Sequence, residues 1–379
     1  MAQSFYQNYK LGVLGGGQLG RMLIQSGIDL NINFSVLDPD ADAPCRSLAE
    51  FTCGKLTDFA TVMKFGERCD LLTIEIENVN TEALKQLASQ GKKIFPQPAV
   101  IELIQDKCKQ KEFYLENNIP TAEFILVGNK EEVRKNKSFL PAVNKLGREG
   151  YDGRGVQVIR TEKDIDKAFE APGLLEKLID FEKEIAIIVA RNEADQLVSY
   201  PAVEMVFHPE ANLVEYLFAP AELKNSVAEK ADAIARKVIT KLNMVGLLAV
   251  EMFVTSDGNV LVNEIAPRPH NSGHQTIEAN STSQYEQHLR AILNLPLGDT
   301  SIVMKSAMIN VLGEPNYTGL ARYEGLTEVL SLAGAHVHLY GKKLTKPFRK
   351  MGHVTIVDND MESLKKKAKF VKDHLKVIA

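Results

Sequence analysis

The segment GLLAVEMFVTSDGNVLVNEIAPR, residues 246–268, constrains the fold more than any other stretch of the chain. Two apolar runs flank Asp257-Gly258, a dipeptide that favours a two-residue turn between antiparallel strands. Counting outward from that turn places Phe253 opposite Val262. The segment therefore predicts a β-hairpin whose strands are too apolar to lie fully exposed to water.

Two carboxylates oppose each other in this hairpin, because the same count places Glu251 opposite Glu264. Directly opposed residues have Cβ atoms roughly 4.5–5.5 Å apart, and like charges there are destabilising. A cation between them removes the conflict, and oxygen ligands suit Mg²⁺ that shares its shell with phosphates. Asn263 points to the other side of the hairpin unless a bulge brings it round. The alternative is a pair of glutamates exposed to water.

A second motif, GGGQLG at residues 15–20, follows an apolar strand and opens a helical pattern. Glycines there let the backbone approach a phosphate, and the helix N-terminus supplies free N–H donors. Asp38 ends the next strand, where nicotinamide enzymes place the acidic residue that holds the ribose. The motif indicates a phosphate more firmly than a nicotinamide, and a tight turn without a ligand is the alternative.

A third motif is the stretch LGREGYDGRG at residues 146–155, which holds four glycines in ten residues. It is either an ordinary surface loop or a mobile lid over a phosphorylated ligand. Lys145 ends the strand before it, and residues 176–179, EKLI, precede another strand. A lysine near phosphates and a backbone edge near a purine fit a nucleotide site, although any single lysine could simply lie on the surface.

The order of strand and helix patterns predicts a multidomain chain of the α/β and α+β classes. Strands alternate with helices over residues 1–105, which predicts a Rossmann-like parallel sheet. A charged helix is expected over 104–120, at the entry to a mixed central domain over 106–300. Short apolar runs between turns then predict a small β-rich domain over 301–379.

Composition excludes several classes of protein. The net charge of −4 argues against a nucleic-acid partner, which normally requires a basic surface. The four cysteines form no C-x-x-C pair, so neither a zinc knuckle nor a disulfide framework is expected. The polar N-terminus is not a secretion signal, and no run of about 18 apolar residues predicts a membrane span. A cytoplasmic protein without membrane contact is the expectation.

These residues resemble two nested families. Asp106-Lys107 and the segments EKLI, VEMF (250–253) and NEIAPRPHNSGH (263–274) are similar to ATP-grasp enzymes. Together with GGGQLG, LDPDADAPC (37–45) and RKMGH (349–353), they narrow the resemblance to the 5-(carboxyamino)imidazole ribonucleotide synthetases of de novo purine synthesis. The similarity runs from about residue 10 to about 360. It implies a pre-ATP-grasp domain, an ATP-grasp domain with a lid at 147–155, and a small C-terminal domain.

The resemblance also implies a reaction. ATP phosphorylates bicarbonate to carboxyphosphate, which delivers a carboxyl group to the amine of 5-aminoimidazole ribonucleotide, and ADP and phosphate are released. Mg²⁺ is the expected cofactor, small molecules are the expected partners, and a homodimer is typical of the family. Another ATP-grasp ligase, such as a formate-dependent glycinamide ribonucleotide transformylase, remains an alternative. So does an NAD-dependent oxidoreductase, which leaves Glu251 and Glu264 without a role.

The family's site residues are carried over position by position. Metal binding falls to Glu251 and Glu264. The residues expected to touch the reacting groups are Tyr151, Asp152, Arg154, Arg268, His270 and Asn271. The ATP-binding set is Lys107, Lys145, Gly150, Gly153, Gly155, Glu176, Lys177, Leu178, Ile179, Glu184, His208, Asn263 and Glu264. The ribonucleotide-binding set is Gly17, Gln18, Leu19, Glu75, Glu77, Arg349 and Lys350, and the sequence does not decide which of Glu75 and Glu77 faces the substrate.

Three positions depart from the family pattern. Glu149 stands where the lid usually has glycine, Arg154 where it has lysine, and Lys107 where the ATP side has arginine. A guanidinium and an ammonium are not interchangeable around phosphates. The departures therefore bear on rates and lid contacts and leave the reaction class unchanged.

A ligand test separates the ligase from the oxidoreductase. ADP with Mg²⁺ should raise the unfolding midpoint of the protein, because a ligand that binds only the folded state adds about 2.7 kcal/mol at 100 times its Kd. NAD should leave the midpoint unchanged. A midpoint raised by NAD alone, measured by thermal shift at matched concentrations, would contradict the ligase interpretation.

Overall fold

The computed structural model describes residues 9–148, 150, 155–207 and 213–379. Its first region is a five-stranded parallel sheet, as the alternating pattern predicts. The elements are β1 (Lys10–Leu14), α1 (Gln18–Ile28), β2 (Asn33–Asp38), β3 (Glu50–Cys53), α2 (Phe59–Gly66), β4 (Leu71–Ile74), α3 (Thr81–Ser89) and β5 (Lys93–Ile94). The strand order β3-β2-β1-β4-β5 makes β1 and β4 neighbours. The glycine loop after β1 and the residues after β4 therefore meet at one edge of the sheet.

The charged segment that follows forms a helix, and this helix is shorter than the range of 104–120 expected for it. Helix α4 (Pro98–Ile104) ends before Asp106, and α5 (Lys107–Glu116) begins after it. The Asp106 carboxylate accepts the N–H of Cys108 at 3.1 Å and of Lys109 at 3.3 Å, so it caps the second helix. This cap fixes the register of α5 and places Lys107 at its first position.

A small antiparallel sheet comes next and carries the base of the glycine-rich loop. Its strand order is β6-β9-β7-β8, with a short helix packed beside it. Its core includes Val127, Ala142 and Leu175. The elements are β6 (Phe124–Val127), α6 (Lys130–Lys135), β7 (Ala142–Leu146), β8 (Val156–Ile159) and β9 (Gly173–Lys177), with 3₁₀ turns at Lys137–Phe139 and Glu162–Lys167.

The largest sheet holds nine of the described strands and spans the central and C-terminal regions. The central elements are β10 (Lys183–Arg191), β11 (Leu197–Ser199), β12 (Val203–Phe207), β13 (Val214–Ala219), α7 (Asn225–Lys241), β14 (Gly246–Val254), β15 (Val260–Ala266), a 3₁₀ turn (Asn271–Gly273), α8 (Thr276–Ala279) and α9 (Gln284–Ile292). Helix α7 packs its apolar side, with Ala231, Ala235 and Val238, against β10 and β14.

The C-terminal region adds three strands to that same sheet. Its elements are β16 (Ser306–Leu312), β17 (Gly319–Leu320), β18 (Arg322–Glu324), α10 (Leu326–Leu330), β19 (Ala335–Leu339), β20 (Leu344–Thr345), β21 (Lys350–Val357), α11 (Met361–His374) and β22 (Lys376–Ile378). The order is β15-β14-β10-β12-β13-β16-β21-β19, with β11 beside β10. Residues 301–379 are β-rich as expected, and they share their main sheet with the central region. Strand β21 thereby comes close to the edge of the glycine loop.

The β14–β15 hairpin forms with a different turn from the one expected. The connection includes Ser256, Asp257 and Gly258, and Gly258 has φ +79°, as three-residue hairpin loops require. The extra residue shifts the register by one, so Phe253 lies opposite Leu261 and the predicted pairing with Val262 is wrong.

A bulge then restores the expected alignment of the two glutamates. The register shifts again between Glu251 and Met252, which leaves Asn263 as the extra residue on β15 and places Glu251 opposite Glu264. The predicted pairing of the two glutamates is therefore confirmed. The two register shifts cancel, so the simple count reached the right pair through the wrong turn.

A shared core attaches the first region to the rest. Buried Leu23 and Ile24 of α1 lie in one cluster with Tyr285 and Leu289 of α9. Beside it, Thr73 Oγ1 and His288 Nε2 are 2.9 Å apart in the interior. Across the described ranges, no helix has the length and apolar character to cross a bilayer.

Leu289→Ala tests this attachment. The side chain is fully buried, so truncation should lower the free energy of unfolding by about 2–5 kcal/mol. Leu115→Ala is the matched control, because 61% of Leu115 is exposed and its loss should cost under about 0.5 kcal/mol. Urea unfolding measures both, and equal losses would show that the α1–α9 contact does not hold the regions together.

Candidate active site

The opposed pair of Glu251 and Glu264 forms the acidic centre of the site. Burial and the charges of Glu264 and Glu184 raise the pKa of Glu251 to about 8. Burial also raises the pKa of Glu264, but the ammonium groups of Lys107 and Lys145 outweigh it and the net pKa is lowered. The site therefore contains one carboxylate, Glu264, whose charge is balanced by lysines. Beside it lies Glu251, whose negative charge is less well balanced.

Lys107 supplies the nearest positive charge. Its Nζ lies 2.6 Å from Glu264 Oε1, and the two side chains are 15% and 47% exposed. Burial opposes protonation of Lys107, yet Glu264 and the neighbouring carboxylates outweigh it, so its pKa is raised. Glu184, from β10, lies in the same group, and burial raises its pKa to about 7. Several ionisable groups with shifted pKa values in one place are typical of functional sites.

These residues fit a divalent cation that takes most of its ligands from elsewhere. Among the described residues there is no group of three or more His, Cys, Asp or Glu side chains that could hold a metal. Glu251 and Glu264 supply two opposed carboxylates, and the raised pKa of Glu251 reflects burial first and then repulsion by Glu264 and Glu184, which a cation would relieve. Mg²⁺ commonly binds through one or two carboxylates together with substrate phosphates and water.

The bulge brings Asn263 to the same side as the two glutamates. Its Oδ1 accepts a hydrogen bond from Lys145 Nζ at 3.0 Å, and its Nδ2 donates to Glu184 Oε1 at 3.4 Å. Lys145 Nζ also lies 2.6 Å from Glu176 Oε2. The structure thus brings Lys145, Glu176, Glu184 and Asn263 together, as the resemblance implied.

Sequence reasoning missed one member of this group. Lys111 Nζ lies 2.8 Å from Glu176 Oε1, and both side chains are almost fully buried. A signal existed, because Lys111 follows Lys107 by one helical turn and must share its side of α5. The weak apolar pattern of α5 hid it.

The described part of the glycine-rich loop is anchored at its base. Lys107 N–H donates to Gly147 O at 2.7 Å, and Arg148 Nε donates to Asp106 Oδ2 at 3.1 Å. Leu146 N–H donates to Gly155 O at 2.9 Å and closes the loop. Gly150 and Gly155 lie within the described ranges. The expected site residues Tyr151, Asp152, Gly153, Arg154 and His208, and the departure at Glu149, lie outside the described residues.

The segment 176–179 ends strand β9 of the small sheet and begins the connection to the large sheet. Lys177 lies on the side of β9 away from Glu176, because successive residues of a strand point to opposite faces. Its Nζ donates to Phe139 O at 2.9 Å and lies 4.8 Å from the centre of the Phe139 ring. The structure does not bring the Lys177 ammonium into the lysine–glutamate group. Leu178 N–H donates to Pro141 O at 3.2 Å, and Ile179 follows it, half-buried.

The PRPHNSGH segment lies beside the β14–β15 hairpin. His270 Nε2 is 3.6 Å from Glu251 Oε1, and Gln284 holds the His270 backbone with hydrogen bonds of 2.8 and 2.7 Å. The side-chain amide of Asn271 is buried, and neither its oxygen nor its nitrogen has a hydrogen-bond partner among the described residues. A buried amide in this condition is ready to bind a polar ligand.

The glycine loop binds carboxylates of the protein itself. Gly16 N–H donates to Asp38 Oδ2 at 2.6 Å, and Leu19 N–H, next to Gln18, donates to Glu75 Oε1 at 3.2 Å. A side chain at Gly17 would place its Cβ 2.5 Å from that same Glu75 oxygen. Burial raises the pKa of Glu75 to about 7. Two N–H donors of the glycine loop are therefore occupied by carboxylates of the protein itself, and one of them is the Leu19 N–H that was expected to bind the ribonucleotide phosphate.

Glu75 and Glu77 have different contact partners in the structure. Glu75 contacts the glycine loop, whereas Glu77 Oε1 lies 2.8 Å from Arg268 Nε. Lys350 of β21 is near enough to Glu251 to oppose the rise in its pKa. Arg349 is held by the backbone instead, since its Nη1 donates to Leu344 O at 2.7 Å.

Two further cations near the glycine loop were missed. Lys342 opposes the raised pKa of Glu75 and donates to Lys350 O at 2.8 Å. Arg21, in the first turn of α1, lies near Gly341, since a Cβ built there would be 3.4 Å from Arg21 Nη1. Nothing in the sequence brings residue 21 to residue 341, because the contact depends on the docking of the C-terminal strands.

The sequence matches three protein families. Residues 9–105 match the ribonucleotide synthetase preATP-grasp domain, residues 112–285 the ATP-grasp domain, and residues 306–367 the phosphoribosylaminoimidazole carboxylase C-terminal domain.

Curated relatives cover the same length of chain. The N5-carboxyaminoimidazole ribonucleotide synthase of Bacillus subtilis is 36% identical over 363 residues, which cover 94% of this chain and 93% of that protein. The chloroplastic phosphoribosylaminoimidazole carboxylase of Vigna aconitifolia is 37% identical over 364 residues, which cover 93% of this chain. The chain spans 65% of the length of the Vigna protein, and 65% of the carboxylase from Candida glabrata.

Solved structures resemble the whole chain. The N5-carboxyaminoimidazole ribonucleotide synthetase from Thermotoga maritima has a TM-score of 0.91 and 41% identity, covering 98% of this chain and 99% of that one. The N5-carboxyaminoimidazole synthase from Aspergillus clavatus, in complex with ADP and 5-aminoimidazole ribonucleotide, has a TM-score of 0.87 and 34% identity, covering 97% and 98%.

Glu251→Gln tests the electrostatic description of the site. A carboxyl whose pKa is raised on folding contributes stability below its ordinary pKa of 4.5 and loses it as pH rises through about 8. Glutamine mimics the protonated form at every pH. Without divalent cations, the midpoint of the wild type should therefore fall behind that of the variant by a few degrees between pH 5 and 9, at roughly 1 °C per kcal/mol for a chain of 379 residues.

Glu116→Gln is the control for this comparison, because Glu116 is exposed on α5. Its difference from the wild type should stay constant across the same range. A constant difference for Glu251→Gln as well, followed by circular dichroism, would contradict the raised pKa.

Proposed function

The chain belongs to the N5-carboxyaminoimidazole ribonucleotide synthase family of ATP-grasp ligases, and we propose that it carboxylates 5-aminoimidazole ribonucleotide with ATP and bicarbonate. The observation that carries the proposal is the opposed pair of Glu251 and Glu264 beside Lys107 and Lys145. The match of residues 306–367 favours this reaction over those of other ATP-grasp ligases.

Lys107, Lys145 and the two glutamates have the chemistry of a nucleotide phosphate site. The lysines can neutralise phosphate oxygens, and phosphoryl transfer depends mainly on such positioning and charge neutralisation. Glu251 and Glu264 would hold Mg²⁺, which when bound supplies positive charge to the transferring phosphates. The half-buried carboxyl of Glu184 and the segment 176–179 would hold the ribose and the purine, as in the family.

The proposed reaction proceeds in two steps. A bicarbonate oxygen attacks the γ-phosphorus of ATP, the bond to the β-phosphate oxygen breaks, and carboxyphosphate and ADP form. The carboxyl carbon then separates from phosphate, as carbon dioxide, and the exocyclic amine of the ribonucleotide bonds to it and loses a proton. Carboxyphosphate reacts readily with water, so a lid at 147–155 that excludes water serves this chemistry.

The second step belongs to the space between the hairpin and the glycine loop. Arg268, His270 and the unsatisfied amide of Asn271 would hold the carboxyl group as it transfers. Glu75 and Lys350 border the same space and would bind the ribonucleotide. Its phosphate can bind to the Leu19 N–H only by displacing Glu75.

The proposal extends to assembly and location. A homodimer is typical of the family and is proposed here on that ground. The four cysteines are free thiols, which suits a reducing compartment such as the cytoplasm. The Vigna relative is named as chloroplastic, so the compartment can differ between members of the family.

The test of the function is phosphate release from ATP in the presence of bicarbonate. Release should depend on 5-aminoimidazole ribonucleotide and should match the formation of a carboxylated product. Phosphate release that ignores the ribonucleotide, or that requires formate or an amino acid instead, would overturn the proposal.

Glu264→Gln should remove most of this activity. The amide keeps the shape of the side chain and removes a carboxylate from the cation site, so turnover should fall roughly 100-fold or more. Circular dichroism should show an intact fold. Glu229→Gln, at an exposed position of α7, should turn over like the wild type. Full turnover in Glu264→Gln would refute the metal assignment.

A further inference from the structure

Lys111 is a buried charge that the proposed reaction does not use. Its side chain is 4% exposed, and its Nζ lies 5.7 and 5.9 Å from the ring centres of Tyr114 and Phe124. Its anionic partner is Glu176, which is 3% exposed. Burying an ammonium is costly unless it is paired and hydrogen-bonded, so this arrangement calls for a reason beyond packing.

Two lysines that lie on different elements of the fold both pair with the Glu176 carboxylate. Lys111 of α5 lies 2.8 Å from Oε1, and Lys145 of β7 lies 2.6 Å from Oε2. Burial raises the pKa of Glu176, but the two ammonium groups outweigh it and the net pKa is lowered. One carboxylate thus has two cationic partners, and it stays paired if either of them leaves.

The same residues close a ring of contacts through the bulge of the β14–β15 hairpin. Lys111 donates to Thr121 Oγ1, and Thr121 Oγ1 donates to Val262 O at 2.8 Å. The next residue is Asn263, whose Oδ1 accepts from Lys145 at 3.0 Å. The ring joins α5, the small sheet and β15. It therefore fixes the position of Lys145 relative to the two glutamates of the cation site.

We propose that Lys111 is a positioning residue for Lys145. It keeps Glu176 ionised and paired, so that the Lys145 ammonium can turn from Glu176 to a nucleotide phosphate without leaving a buried carboxylate alone. The inference rests on the proposed ATP site. Without Lys111, a nucleotide would have to remove the one remaining partner of Glu176.

Three variants test this role through the Kd of Mg-ADP, measured by titration calorimetry. Lys111→Met should raise the Kd about tenfold, because it removes an ion pair whose interaction is worth about one pKa unit, and one pKa unit is a factor of ten in an equilibrium constant. Lys111→Met with Glu176→Gln removes both charges of the pair, so it should bind Mg-ADP more tightly than Lys111→Met does. Glu176→Gln alone should bind no more weakly than the double variant, because it releases Lys145.

The outcomes separate positioning from a purely structural role. A wild-type Kd in Lys111→Met, or a double variant that binds no better than Lys111→Met, would overturn the inference. In turnover assays, Lys111→Met should raise the KM for ATP more than it lowers kcat. A wild type that binds no Mg-ADP would instead refute the proposed function, and the inference with it.

A pH series keeps the inference testable if Lys111→Met does not fold. Burial lowers the pKa of Lys111 to about 8, although Glu176 opposes the shift. The charged groups around it are Glu176 from β9, Lys145 from β7 and Lys107 from its own helix. Above pH 8 Lys111 loses its proton, so the affinity of the wild type for Mg-ADP should fall between pH 7 and 9.

The double variant is the control for this series, since it lacks the titrating pair and retains Glu251. Its affinity should not show the same fall. Parallel pH profiles of the wild type and the double variant would contradict the proposed role of Lys111.

Discussion

Two carboxylates on neighbouring strands repel each other, and the sheet nevertheless holds Glu251 opposite Glu264. The strands that carry them are anchored by a core of apolar residues from β10, β14, β15 and α7. Because this core is rigid and closely packed, the pair cannot separate to relieve the repulsion. A cation bound between the two carboxylates would relieve that repulsion.

The cationic groups around this pair come from different parts of the chain. Lys107 lies at the start of α5, Lys145 at the base of the glycine-rich loop, and Lys350 on a C-terminal strand. The large sheet explains their convergence, because β21 joins it through β16 and brings the C-terminal region beside the glycine loop. The site thus depends on the docking of all three regions, and no one of them contains it.

Local patterns predicted the parallel sheet, the hairpin and the pairing of the two glutamates. They could do so because apolar alternation and turn dipeptides determine the structure of segments only a few residues long. The turn itself was wrong, since whether Asp257-Gly258 forms a two- or three-residue loop depends on contacts around it. The bulge at Asn263 was left open for the same reason.

Contacts between distant segments were beyond local patterns. The pairing of Lys111 with Glu176 and the approach of Arg21 to Gly341 require the relative placement of whole elements. The start of α5 was the exception, because Asp106 is a recognisable N-cap and could have been read from the sequence. The separate roles of Glu75 and Glu77 needed the structure, since both follow the same strand.

The central claim is that the site transfers a phosphoryl group from ATP to bicarbonate. The most direct test uses bicarbonate labelled with ¹⁸O, in the presence of ATP, Mg²⁺ and 5-aminoimidazole ribonucleotide, and follows the label by mass spectrometry of the released phosphate. Each phosphate should carry one oxygen from bicarbonate, because the bridging oxygen of carboxyphosphate leaves with phosphorus. Unlabelled phosphate formed together with carboxylated ribonucleotide would contradict it.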